Sequence, residues 1–173
     1  RVLVDGAMGF ACTNQLSKES LSEVVDVAYR MAKATKKLVA KPISLSKEKA
    51  EEARWESKAR KPLIDVTIEE KFGVLDDIEK NLKPDVVKVG LPFRTLVLFD
   101  DITDRYFANT EGARIHGTVS RIGLLYILTA SEPGKGTIQR IGNKGETGGW
   151  EQVEKWNLPK FVSEEAATLS RIL

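Results

Sequence analysis

Two stretches of this chain place glycines beside an aromatic residue: "DGAMGFACTN", residues 5–14, and "ETGGW", residues 146–150. Glycines at strand edges can cradle a phosphate, shape a catalytic loop or simply turn the chain. A phosphate loop needs G-x-x-x-x-G-K-[ST], so that successive backbone N–H groups and a lysine surround the anion. "GKGT" at Gly134 has the lysine, but the residue five before Gly134 is Thr129. No G-x-G-x-x-G opens a helix, and the helix after "DGAMGF" starts several residues too late. Gly6, Gly9, Gly112, Gly148 and Gly149 are therefore assigned to turns, with Phe10 and Trp150 packing beside them.

Metal chemistry needs converging His, Cys or carboxylate ligands. The chain has one histidine, His116, and one cysteine, Cys12. It has no His-Glu-x-x-His pattern and no EF-hand loop, so neither a metal ligand nor a catalytic residue is assigned. Nucleophilic catalysis would need a base beside a nucleophile. His116 lies between Ile115 and Gly117 in an alternating run, the place of a residue facing solvent or a hydrogen-bonded neighbour. Cys12 is read as a small buried hydrophobe. The carboxylate pairs Glu69-Glu70 and Asp76-Asp77 belong to solvated helix faces, and Asp100-Asp101 is read as a turn that ends a strand.

The elements that must position these residues follow from periodicity. "RVLVDG" is a strand ended by a turn, and "GFACTN" a second short strand. A helix follows, with Ser17 as N-cap and Leu21, Val24, Val25, Ala28, Met31 and Ala32 on one apolar face. Lys36-Lys37 suits its negative end. From residue 39 the pattern weakens; "SKEKAEEARWESKARK" is polar nearly all round, Trp55 apart, and residues 39–62 fit a solvated helix or a surface excursion. Thr67 and Glu70 form a capping box, followed by Ile68, Phe72, Leu75, Ile78 and Leu82 on one face until Pro84. "DVVKVGL", "RTLVLFD", "DRYFANT", "ARIHGTVSRIGLLYILTAS" and "GTIQRIG" are expected as strands. "NTEG" and "SEPGKG" are turns between them. Ser163 is expected to cap a closing helix, with Glu164 and Glu165 at its positive end and Ala166, Ala167, Leu169 and Leu173 packing. Strands and helices are segregated, so the fold class is α+β, mainly antiparallel, with two or three amphipathic helices. We expect one domain over residues 1–173, with "RIGLLYILTA" either a fully paired strand or an edge open to an extended peptide.

Composition narrows the function. The 173 residues carry 27 basic and 25 acidic side chains, a net charge of +2. That balance gives no large single-sign field, so neither nucleic acid nor an anionic membrane is an expected partner. No apolar run is long enough to cross a bilayer. A single cysteine excludes an internal disulfide and suits the cytoplasm. The chain opens in an apolar run without a methionine, which suggests a piece of a longer polypeptide.

"RVLVDGAMGFACTN" followed by a capped helix resembles the N-terminal region of the TldD/PmbA family, whose pattern there is close to G-V-R-V-L-V-D-G-A-W-G-F-A-S-T-N. Met8 stands where that family commonly has tryptophan and Cys12 where it has serine. "RYFANTEGARIHGTVSRIGLLYILTA", "ETGGWEQVEKW" and "SEEAATLSRIL" resemble later family segments, in the same order. The resemblance implies a zinc metalloprotease-like parent associated with processing peptides such as microcin precursors, once called a modulator of DNA gyrase. It implies an N-terminal α+β domain and a catalytic half with His-Glu-x-x-x-His and a cysteine ligand. It also implies homo- or heterodimers and peptide substrates taken in unfolded form. None of the metal motif lies in these residues, so zinc belongs to the parent and no cofactor to this part. The expected role is a non-catalytic domain that packs on its own catalytic domain, helps enclose the peptide and joins subunits. The alternative is a free-standing peptide- or protein-binding regulatory module, such as a gyrase-modulator-like partner.

Overall fold

The fold begins with the tightest connection a pair of antiparallel strands can have. In the computed structural model, which describes residues 1–83, 87 and 90–173, β1 (Val2–Val4) pairs with β2 (Ala7–Gly9) in the register Val2↔Gly9, Leu3↔Met8, Val4↔Ala7. Only Asp5 and Gly6 remain for the turn, and both have positive φ, 48° and 82°. That is the backbone that matches the twist of a two-residue hairpin. The second strand therefore ends at Gly9, and the expected strand "GFACTN" is corrected: residues 10–14 run on outside the ladder.

Helix α1 (Lys18–Thr35) follows, and Ser17 caps it by accepting from the Ser20 N–H at 3.1 Å. Ala28 and Ala32 are its buried residues, while Leu21, Val25 and Met31 of the expected apolar face stay exposed. Gly9 explains why alanines are the buried pair. A Cβ on Gly9 would stand 1.8 Å from the Ala28 carbonyl oxygen, so strand and helix backbones touch.

Residues 1–173 divide into two compact units, Arg1–Lys49 and Ala50–Leu173, where one domain was expected. The physical reason is that the short hairpin and α1 close on each other through Gly9, and the second unit has a sheet and core of its own. β5 (Arg114–Glu132) is the spine of that sheet. On one side it pairs antiparallel along its length with β4 (Phe93–Ala108). On the other side it pairs first, in parallel, with β3 (Glu52–Glu56), then antiparallel with β6 (Gly136–Thr147). "RIGLLYILTA" is thus internal and fully paired, and β3, β4 and β6 are the edges.

Ser57, just after β3, prolongs the pairing with β5. Its N–H donates to the Thr118 carbonyl at 2.9 Å, and its Oγ accepts from the Ser120 N–H at 2.8 Å. The segment 39–62 therefore contains a strand, a correction to the helix-or-excursion expectation. The five residues of β3 are all exposed, so burial left no periodic signature.

β4 is continuous where two strands with a turn at Asp100-Asp101 were expected. Asp101 stands opposite Arg121 in the ladder, and Asp100 reaches Lys71 from the other face. Adjacent strand residues point to opposite faces, so two neighbouring acids can each find a cation without breaking the strand. The turn at residues 109–112 is as expected: Asn109 Oδ1 accepts from the Ala113 N–H at 2.8 Å and Gly112 has φ 101°.

One face of this sheet carries the core. Ile122, Leu124, Tyr126 and Leu128 of β5 are buried against helices α2 (Ile68–Asn81), α3 (Glu151–Trp156) and α4 (Leu158–Ile172). The Thr67–Glu70 capping box is present in both directions. Ile78 and Leu82 of the expected α2 face are buried, but Ile68 and Phe72 are exposed, because only the second half of the helix lies over the core. The expected strand over residues 85–91 lies mostly outside the described residues; Val87 is buried and its N–H donates to the Lys83 carbonyl at 3.0 Å, a helical contact.

Ser163 does not cap the closing helix. Asn157, at φ 46°, breaks the chain between α3 and α4, and Pro159 sits in the first turn of α4. Ser163 is interior, and Glu164 and Glu165 are in the second turn. Ala166 and Leu169 pack as expected; Ala167 is exposed.

Candidate functional site

The "ETGGW" loop places its residues where they bind the chain to itself. Trp150 is 5% exposed, and its backbone N–H donates to the Lys61 carbonyl at 2.9 Å. Glu151 turns its carboxylate back into the loop. It accepts from the backbone N–H groups of Gly149 at 3.1 Å, Lys61 at 3.1 Å and Arg60 at 3.2 Å. Burial opposes ionisation of this carboxyl, but those amides outweigh it and hold the pKa down at about 2. Gly149 is required by contact: a Cβ there would lie 2.3 Å from the Lys61 carbonyl oxygen. Gly148, at φ 143°, leads the chain from β6 into the loop. Converging amides of this kind could bind an anion; here they already hold one, the protein's own.

The "DGAMGF" segment does something different. Gly6 is the second turn residue and its carbonyl accepts from the Ile43 N–H at 2.9 Å. Asp5 pairs with Lys36 at 2.9 Å. Phe10, expected to pack, is 55% exposed, with the Arg1 guanidinium 5.9 Å from its ring centroid. Cys12, expected buried, is exposed and free. Both changes have one cause, the end of β2 at Gly9, after which no partner layer covers the chain.

His116 has the hydrogen-bonded neighbour expected of it. Its Nε2 meets Asp104 Oδ1 across the ladder, and its ring stands edge-on to Tyr106 at 6.4 Å. No serine or cysteine completes a nucleophile–base pair there. Four of the six paired carboxylates are answered by cations: Asp100 by Lys71, Asp101 by Arg121, Asp77 by Lys80, Glu70 by Lys61. Among the described residues no group of three or more His, Cys, Asp or Glu side chains is placed to hold a metal ion. A resident zinc does not fit this donor set, and no step through one is derived.

One polar cluster escaped the sequence reading. The Tyr126 hydroxyl and Arg140 Nε both donate to Glu165 Oε2, tying α4 to β5 and β6. Burial, with the Glu165 bond, pushes the Tyr126 phenol up to about 12, and Arg140 holds the Glu165 carboxyl below its ordinary value. Lys144 adds its ammonium 4.8 Å from the Phe161 ring centroid. These residues sit on three elements, so no local spacing announces them. Gly142 is the only hint: a Cβ there would meet the Tyr126 hydroxyl at 2.2 Å.

The face of the sheet opposite the core is apolar as well. Phe93 is 73% and Ile141 61% exposed, and Val97 and Phe99 are exposed further along β4. No helix among the described residues is long and apolar enough to cross a membrane.

The family model described as the PmbA/TldA metallopeptidase central domain matches residues 61–173, and that described as PmbA/TldA metallopeptidase domain 1 matches residues 1–32. The larger unit thus corresponds to a central domain, where an N-terminal domain was expected throughout. Metalloprotease MJ0996 of Methanocaldococcus jannaschii is 30% identical over 135 residues. That match covers 78% of this chain and 29% of the relative, so the chain spans under a third of the curated protein it resembles. No solved structure matches. With a family model covering more than half of its residues, the chain belongs to the PmbA/TldD metallopeptidase family.

Proposed function

We propose that these residues are a non-catalytic part of a zinc-dependent peptidase. They support its catalytic domain, help enclose an unfolded peptide, and take part in homo- or heterodimer assembly. The observation that carries this reading is that the converging amides and the one histidine are already satisfied internally. The converging amides of residues 60, 61 and 149 hold Glu151, and His116 is held by Asp104. The relative's printed name, a metalloprotease, supports the peptidase part for the longer protein. An exposed, unpaired Cys12 fits work in the cytoplasm.

The test compares the full-length polypeptide with residues 1–173 on an unfolded peptide, with and without a chelator. We expect hydrolysis by the full-length polypeptide that the chelator abolishes, and none by residues 1–173 with added Zn²⁺. Chelator-sensitive hydrolysis by residues 1–173 alone would overturn the reading. Near-neutral charge predicts no DNA binding at low salt; affinity that falls steeply with salt would instead show phosphate contacts.

A further inference from the structure

We infer that the outer face of the β4–β5–β6 sheet is the seat of the domain that follows the central domain in chains of this family, which covers it within the same polypeptide with an apolar surface. This rests on the proposed role as a supporting part of a longer peptidase.

A sheet with one solvated face alternates apolar and polar residues. Over Leu96–Phe99 of β4 and Leu124–Leu128 of β5 that alternation is absent. Leu96 and Leu98 of β4 pack against the core, while the alternate residues Val97 and Phe99 face outward. On β5, Leu124, Tyr126 and Leu128 are buried in the core, and Leu125 and Ile127 occupy the other face. The register carries that face across to Ile141 of β6, with Thr95, Asn143 and Gln139 interspersed. Val97 stands beside Leu125, Phe99 beside Gly123, and Ile127 beside Ile141. Strands apolar on both sides are the pattern of a sheet buried on both sides, and a large exposed apolar patch marks an interaction surface.

The same face continues along the distal part of the β4–β5 hairpin. There Arg105, Phe107, Ile115, Gly117 and Val119 line a hollow of about 590 Å³, which Asp104 and Tyr106 also border. Nothing would lie within 4 Å of a Cβ on Gly117, so the hollow has an open floor where a large side chain can seat. Between the two apolar areas, Asp101 and Arg121 pair with each other at 3.0 Å.

The occupant follows from the length of chain outside this structure. A family model described as central presupposes polypeptide on both sides of it, and this chain covers only 29% of its curated relative. A tethered domain meets this face at high effective concentration, which favours cover from the same chain over cover from a second one.

The test uses the full-length polypeptide, with the photo-crosslinking residue p-benzoylphenylalanine in place of Ile141 and, separately, of Val97. Ile141 is the more exposed, so the first variant keeps the test decisive if the second fails to fold. A mixture of isotopically light and heavy chains separates crosslinks within a chain from those between chains. We expect products within one chain, joining either position to the domain that follows. Products to a second copy, products to residues 1–49, or no product from Ile141 would each overturn the assignment. Peptide hydrolysis is measured on the same samples. An inactive protein with the expected crosslink sinks the peptidase reading alone, and an active one without it sinks the seat alone.

Discussion

"DGAMGF" and "ETGGW" are alike in composition and opposite in fate. In both, a glycine is required because two backbones touch, Gly9 against Ala28 and Gly149 against Lys61. Their aromatics differ: Trp150 is buried in the core, and Phe10 stands in the open. Their acids differ too. Glu151 is buried and accepts three backbone N–H groups, whereas Asp5 makes a solvated ion pair. Glycine reports what the backbone must do locally. Whether the neighbouring aromatic packs depends on whether a layer exists to cover it.

Replacing the two aromatics should break this comparison most widely. Trp150→Ala removes a buried indole and should cost about 4 kcal/mol, read as a lower urea midpoint by circular dichroism. An equal loss on Phe10→Ala would show that the first segment is covered after all. The two glycines come next. Gly149→Val and Gly9→Val each force a Cβ into a backbone carbonyl and should cost about 3 kcal/mol. The first is read by tryptophan fluorescence, since all three tryptophans lie in the second unit. The second is read by loss of amide-exchange protection in α1. If Gly149→Val left the fluorescence transition in place, the close approach to Lys61 would be wrong.

Glu151→Gln should cost about 2 kcal/mol, because a neutral amide oxygen cannot replace two carboxylate oxygens facing three N–H donors. Asp5→Asn should leave the unfolding midpoint unchanged, since its ion pair is exposed. The pH profile sharpens the contrast further. Glu151 has its pKa lowered on folding from 4.5 to about 2. Its contribution is therefore complete above about 4.5 and lost as pH falls toward 2. The midpoint should drop across that window in the parent chain and drop less in Glu151→Gln. A parallel profile in both would place the acid sensitivity elsewhere. Phe10→Ala itself should also cost little, below about 0.5 kcal/mol, as for most exposed substitutions.

The features legible from sequence were those whose partners lie within a few residues. Ser17 as N-cap, the Thr67–Glu70 box and the Asn109 turn all place donor and acceptor three or four positions apart. The family resemblance was legible for a similar reason, since a hairpin turn and a close-packed glycine leave few substitutes. What failed was decided at long range. β3 is held by a parallel partner some sixty residues away and shows no burial pattern of its own. Asp100-Asp101 looked like a turn because Lys71 and Arg121, which make it a strand, come from other elements. Ser163 had the chemistry of a cap, but the left-handed Asn157 had already ended the previous helix and Pro159 begun the next.

The sequence by itself determined the α+β class, the turns, two helix caps and the kinship with peptidases, because these rest on local dihedral preference and near-neighbour hydrogen bonds. Only the tertiary structure decided that Glu151 fills the amide nest, that β5 lies inside the sheet, and that one sheet face is closed while the other remains apolar and open. Burial is a property of what stands opposite a side chain, and nothing along the chain specifies that until distant elements meet.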